Sequence, residues 1–185
     1  MKRRASLMSW NTMLSVLVLG ILAQLLIVAG RPYFTANSPT PGAAVQVGDT
    51  VPALVGYDAT GVRKTIPLID GLRVATVLYV FHPDCAHSDR VALAWQAHFA
   101  NGLGDPNVRR IAVTSDAPAA AAQYAARFGW QVELLSLAHP DHAGQARSLT
   151  SRTPWLVVFD ARGVLRLQAH GSELEQLALL PEIVG

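Results

Sequence analysis

A single cysteine, Cys85, stands in 185 residues, so the chain can close no intramolecular disulfide and build no cysteine-rich zinc site. Charge is scarce as well. Asp, Glu, Lys and Arg make up 15% of the residues, too few for a disordered polyelectrolyte or a long solvated coiled coil. With Gly 14 and Pro 11 there is no collagen-like or low-complexity character. An excess of positive charge is missing over most of the length. Lys2, Arg3 and Arg4 hold three of the 15 basic residues, and the remaining 12 face 13 acidic ones, which gives no reason to expect nucleic acid. What the chain has in quantity is hydrophobic residues, at 51%, enough for one ordinary domain and a membrane segment.

The apolar excess is concentrated near the N-terminus. Residues 5–30 carry no charge, and within 13–30 only Ser15 and Gln24 are clearly polar. At ~1.5 Å per residue, about 20 residues cross a ~30 Å hydrocarbon core, so the run is long enough to span. Three cations before it and the single Arg31 after it predict a cytoplasmic N-terminus and an exported C-terminal domain. A cleaved signal peptide is the alternative. Against it, the run is long for such a peptide, and Ala29-Gly30-Arg31-Pro32 makes a poor cleavage site. The expected organisation is a cytoplasmic basic end over 1–12, an anchor over 13–30, a tether over 31–46 and a domain over 47–185. Pro32, Pro39 and Pro41 give the tether its extended character.

Within the domain, strand and helix patterns alternate. Residues 51–54 and 64–68 flank Asp58-Ala59-Thr60-Gly61 and predict a hairpin. The run 74–81 is apolar and rich in β-branched residues, as in a strand buried on both faces. A helix follows over 86–99, with Val91, Leu93, Ala94, Trp95 and Phe99 expected along its inner side. Residues 108–114 form a second buried strand, 117–128 an alanine-rich helix closed by Gly129, and 132–137 a third strand. A last hairpin, 155–160 and 164–169 about Gly163, precedes a closing helix over 173–180. This order predicts an α/β fold with helices on both faces of a mixed sheet.

The chemistry is concentrated in Phe81-His82-Pro83-Asp84-Cys85-Ala86-His87-Ser88, where a buried strand hands over to a helix. A thiol there lies near unpaired backbone N–H groups and the positive end of the helix dipole, and both favour the reactive thiolate. His87, when protonated, is expected to add positive charge nearby. His82, Cys85 and His87 also form His-x-x-Cys-x-His, a ligand set suited to copper, which a distant His139 or His142 would complete. Asp84 and Asp89 read as first-turn carboxylates that favour the dipole, and Trp95 and Trp155 as core. His98 and His170 have no partner visible in the sequence.

Further features extend this pattern: Val47-Gly48-Asp49-Thr50-Val51-Pro52, the Asp58–Gly61 turn, Cys85 with Ser88 three residues on, and Thr153-Pro154 before 155–160. On these residues the chain from about 47 to 180 resembles membrane-anchored thioredoxin-like proteins of the ResA/TlpA type, in the redoxin family. It is also similar to the accessory thiol proteins of methylamine dehydrogenase maturation. The resemblance implies a thioredoxin-like fold with Cys85 at the nucleophile position. It implies a cis-proline at Pro154, and Thr153 offering backbone groups to an extended substrate. His87 falls at an inter-cysteine position where Dsb-type oxidases also carry histidine.

The chain departs from that pattern at Ser88, which stands where the second cysteine belongs. A serine hydroxyl is too weakly acidic to resolve a mixed disulfide, although it can hydrogen-bond to the Cys85 thiolate. Three readings follow. The first is monothiol disulfide exchange in the periplasm, needing no cofactor and using protein thiols, protein disulfides or glutathione as partners. The second is a copper chaperone using His82, Cys85 and His87. The third is a redox-inert binding scaffold. A peroxiredoxin is disfavoured, because that family's motif wants Pro and Thr or Ser where this chain has Leu78 and His82. Arg152, beside Thr153, is suited to attracting an anionic partner such as glutathione.

Overall fold

Alternating inward and outward residues build a hairpin from β1 (Ala53–Tyr57) and β2 (Arg63–Pro67). At its turn, Asp58 Oδ1 accepts the Thr60 N–H at 2.9 Å, the Thr60 hydroxyl at 2.6 Å and the Val62 N–H at 3.0 Å. Every residue of β3 (Ala75–Val80) is buried. There follow α1 (Ala86–Asn101), β4 (Val108–Thr114), α2 (Pro118–Arg127), β5 (Glu133–Ser136), β6 (Trp155–Phe159) and β7 (Leu165–His170). A 3₁₀ helix over Leu174–Leu179 comes last. The computed structural model describes residues 45–69, 75–101, 108–138 and 148–180, with Val18, Gly20 and Gln24, which are helical. The chain divides into two units, Met1–Asn37 and Ser38–Gly185, and the elements named above all lie in the second.

The basic end, the tether up to 44 and, apart from three residues, the expected anchor over 13–30 lie outside the described residues. Among the described residues, no helix is long and apolar enough to cross a membrane.

The seven strands form one mixed sheet in the order β2-β1-β5-β4-β3-β6-β7. Central β3 runs parallel to β4 and antiparallel to β6, with Val80 opposite Trp155. The two-residue period of a strand sends Val77 and Tyr79 to one face and Leu78 and Val80 to the other. On the first face they pack with Leu156 and Val158 against Val91, Trp95 and Phe99 of α1 and Tyr124 of α2. On the second, Ile111, Val113, Val157 and Phe159 pack with Leu54, Ile66 and Leu149. Residues 148–150 are helical, so helical chain meets the sheet on both faces. The mixed sheet with its helices is the expected α/β arrangement.

Three local expectations are corrected. Leu93 is 66% exposed and Ala94 is also exposed, while Ala92 is buried. At about 100° per residue, Val91, Ala92, Trp95 and Phe99 share a face that Leu93 cannot join. The closing helix, expected over 173–180, is a 3₁₀ helix over Leu174–Leu179, as short terminal pieces often are. Trp155 is only half-buried and packs on the face opposite α1, whereas Trp95 is fully buried.

Candidate functional site

The chain leaves β3 through Phe81, whose N–H donates to the Val113 carbonyl at 2.9 Å. Pro83 then interrupts the strand, and the Cys85 N–H donates back to the His82 carbonyl at 3.1 Å. The turn is fixed from the side too, because His82 Nδ1 accepts the Asp84 N–H at 3.1 Å. Cys85 follows, half-buried, directly before α1, and its carbonyl accepts the Asp89 N–H at 3.1 Å as the helix begins. Its sulfur faces first-turn N–H groups that have no acceptor within the helix.

These groups lower the Cys85 pKa. The Ser88 N–H lowers it most and partial desolvation opposes it; the His87 N–H and the hydroxyls of Ser88 and Thr153 add to the lowering. Ser88 is 1% exposed, and its Oγ accepts the His82 N–H at 3.1 Å. The buried Ser88 hydroxyl is thus held by the His82 N–H and is one of the groups that favour the thiolate.

His87 behaves differently from the expectation. Its imidazole is exposed, and it bears on the thiol through its backbone N–H rather than through ring charge. Asp84 is exposed and is not among the groups that set the acidity of Cys85. Asp89 pairs with Arg127 at 2.5 Å, joining α1 to α2.

The second wall of the site is the loop before β6. Its Thr153–Pro154 peptide bond is cis, and the Thr153 hydroxyl reaches Cys85. Gly171 holds this loop from behind: its N–H donates to the Pro154 carbonyl at 3.1 Å. Its own carbonyl accepts the Trp95 Nε1–H at 2.7 Å. A Cβ on Gly171 would lie 2.7 Å from both Pro154 Cβ and Trp95 Cζ2, so only glycine fits. Trp95 thus links the helix that carries Cys85 to the loop that carries Thr153. No sequence signal marked Gly171, because its value depends on two residues distant in the chain.

His82 Nε2 lies 3.8 Å from Asp116 Oδ1, beyond hydrogen-bond reach, while Asp116 Oδ2 accepts the Thr114 hydroxyl at 2.8 Å. The copper alternative does not assemble here. Among the described residues, no group of three or more His, Cys, Asp or Glu side chains is placed to hold a metal ion. His82 is turned toward Asp84 N–H and Asp116, and the His87 ring is out in solvent. His139 and His142 lie outside the described residues.

No protein-family model matches this chain, and no curated protein does either. Solved structures do resemble it. A peroxiredoxin-like protein from Aquifex aeolicus superposes with a TM-score of 0.60 at 17% identity, covering 78% of this chain and 91% of that one. The thioredoxin domain of a thiol-disulfide oxidoreductase from Bacteroides vulgatus gives 0.59 at 15% identity, over 77% of this chain and 100% of that one. A thiol peroxidase from Chromobacterium violaceum gives 0.52 at 16%, over 78% and 92%. At these identities the likeness is one of architecture, and the chain has a thioredoxin-like fold.

Proposed function

We propose that this is a membrane-anchored, extracytoplasmic thioredoxin-like protein that exchanges disulfides through the single thiol of Cys85. The observation that carries the reading is the ring of donors around the sulfur: the N–H groups of Ser88 and His87 and the hydroxyls of Ser88 and Thr153. Such donors stabilise a thiolate, both as the attacking group and when it leaves again. The thiolate attacks a substrate disulfide R–S–S–R′, forming Cys85–S–S–R and releasing R′–S⁻. Ser88 does not resolve this intermediate. An external thiol, ionised, attacks the R sulfur, forms a disulfide with it and returns Cys85 as thiolate; its proton goes to R′–S⁻. Thr153 and the cis Pro154 form the shelf against which the substrate backbone lies. The partners are protein thiols and disulfides, or glutathione. The neighbours' printed descriptions as oxidoreductase and peroxidase are consistent with thiol chemistry on this scaffold.

For the location, support comes from Lys2, Arg3 and Arg4 ahead of the apolar run 13–30. Membranes extracted with alkaline carbonate should retain the full-length protein, and its appearance in the soluble fraction would rule the anchor out. For the chemistry, the full-length chain incubated with oxidised glutathione should gain one glutathionyl adduct on Cys85 by intact mass. A chain that stays unmodified at neutral pH while its thiol also resists alkylation would leave the fold as a binding scaffold only.

A further inference from the structure

His82 is bonded to three of the residues around the thiol at once. Its main-chain N–H donates to Ser88 Oγ at 3.1 Å, its carbonyl accepts the Cys85 N–H at 3.1 Å, and its ring Nδ1 accepts the Asp84 N–H at 3.1 Å. The first two bonds are open to any non-proline residue at this position; the third depends on the side chain. It closes a loop from residue i to the N–H of i+2, as Asn and Asp do in turns, with an imidazole nitrogen as the acceptor. The loop encloses Pro83, which has no N–H of its own. It therefore fixes the two residues, Pro83 and Asp84, that lead into Cys85.

An imidazole nitrogen accepts only when it carries no hydrogen. With Nδ1 on the Asp84 N–H, the ring hydrogen belongs on Nε2, and Nε2 faces Asp116 Oδ1 at 3.8 Å. At that separation the carboxylate acts on the Nε2–H by charge rather than through a hydrogen bond. Asp116 is itself held at the end of β4. Its Oδ2 accepts the Thr114 hydroxyl at 2.8 Å, its N–H donates to Thr114 Oγ1 at 3.2 Å, and its carbonyl accepts the Ser136 hydroxyl. A fixed carboxylate thus selects the tautomer that leaves Nδ1 able to accept. His82 is not among the groups that set the acidity of Cys85 directly, so its influence passes through the turn.

We propose that His82, in the tautomer selected by Asp116, is a positioning residue for exchange at Cys85: it locks the turn that sets the thiol on its donors. The proposal rests on the exchange reading above. First-turn N–H groups stabilise a thiolate only while the sulfur is held over them, and a turn that samples other conformations holds it there for less of the time.

The test is the pH profile of Cys85 alkylation by iodoacetamide in the folded, full-length chain. His82→Ala removes the acceptor and should move the midpoint upward by about half a pH unit, an about threefold loss of rate on its acidic side. In His82→Asn, Oδ1 takes the place of Nδ1 and should restore most of that rate. Asp116→Asn keeps an oxygen for the Thr114 hydroxyl and sets an N–H donor opposite Nε2, which draws the ring hydrogen to Nδ1. It should slow alkylation about twofold, although loss of a nearby negative charge by itself would speed it. Combined with His82→Asn, where no tautomer remains to be selected, Asp116→Asn should no longer slow the reaction. A His82→Asn profile shifted as far as that of His82→Ala would overturn the proposal. So would an Asp116→Asn slowing that persists beside His82→Asn, or no slowing by Asp116→Asn at all. The Asp116 series decides the matter if His82→Ala does not fold. Failure of the exchange reading is distinct: alkylation would follow this pattern while the chain forms no adduct with oxidised glutathione.

Discussion

Two turns in this molecule each present backbone N–H donors to an acidic side chain, one closed over by cations and one left partly open. After β6, Asp160 is 4% exposed, and its Oδ1 accepts the Arg162 N–H at 2.9 Å and the Val164 N–H at 3.0 Å. Arg166 closes on Oδ2 at 2.7 Å and Arg162 at 3.3 Å. Burial by itself would raise the Asp160 pKa, but the Val164 N–H, Arg166 and the Arg162 N–H outweigh it and the net shift is downward. After β3, Cys85 also meets two N–H groups, but its other donors are hydroxyls, no cation is among the groups that lower its pKa, and it is only half-buried. Saturating an anion with guanidinium groups makes a structural latch. Supporting it with dipoles, and leaving one side open, is the arrangement the proposed exchange needs.

The largest expected effect falls on the latch. Asp160→Ala strands Arg166 and two backbone donors, and should cost about 2–3 kcal/mol in a urea titration. Because the folded pKa lies below the unfolded value of about 3.9, this contribution is present above that pH and is lost as the pH falls through the folded value. The gap between wild type and variant should therefore be full at pH 6 and should shrink on acidification below about pH 4. A gap that stays constant into acid would mean that Asp160 acts through packing alone.

Next comes the brace between the two walls of the site. Gly171→Ala puts a methyl 2.7 Å from Pro154 and Trp95, and should destabilise the fold by about 1–3 kcal/mol. It should also shift the pH profile of Cys85 alkylation, because the Thr153 hydroxyl moves with the loop. An unmoved profile in a destabilised variant would confine Gly171 to packing.

At Cys85 itself, the first-turn N–H groups and the hydroxyls lower the pKa from its ordinary value, so alkylation by iodoacetamide at pH 7 should be faster than in the unfolded chain. Ser88→Ala removes one donor to the sulfur and the acceptor of the His82 N–H. It should slow that reaction about threefold and cost about 1 kcal/mol. Ser88→Cys is expected to create a closed Cys-x-x-Cys pair with insulin-reduction turnover that the native chain lacks, since helix positions three apart are neighbours. A Ser88→Cys chain that oxidises but does not turn over would place the limit at substrate binding.

The smallest effect is expected at His87. Its N–H rather than its exposed ring faces the thiol, so His87→Ala should leave the alkylation profile where it is. A clear shift toward higher pH would restore a role for the imidazolium.

How much of this was legible in the residues depended on range. The run that became β3 was readable because double-sided burial leaves a nearly continuous apolar signature, and β4 occupies 108–114 as expected although Arg109 and Arg110 interrupt its apolar run. The inner face of α1 was partly misread, since Leu93 counts as apolar by composition and points to solvent by angle. Cys85 stood out because strand, proline and helix start follow one another locally. Ser88 was legible as a hydroxyl three residues after Cys85; that it also holds the His82 N–H was not.

Local order along the chain was enough to determine the alternation of strand and helix, the position of the thiol at a helix start, the absence of a second cysteine and the uncharged run 13–30. These depend on neighbours within a few residues, where periodicity and charge are directly readable. Tertiary structure alone decided that the Thr153 hydroxyl helps to lower the Cys85 pKa, that Trp95 binds Gly171 across 76 residues, and that Trp155 lines a cavity with Arg152 rather than filling the core. Those contacts exist because β3 and β6 pair antiparallel and bring the start of one beside the end of the other. No local pattern encodes that adjacency.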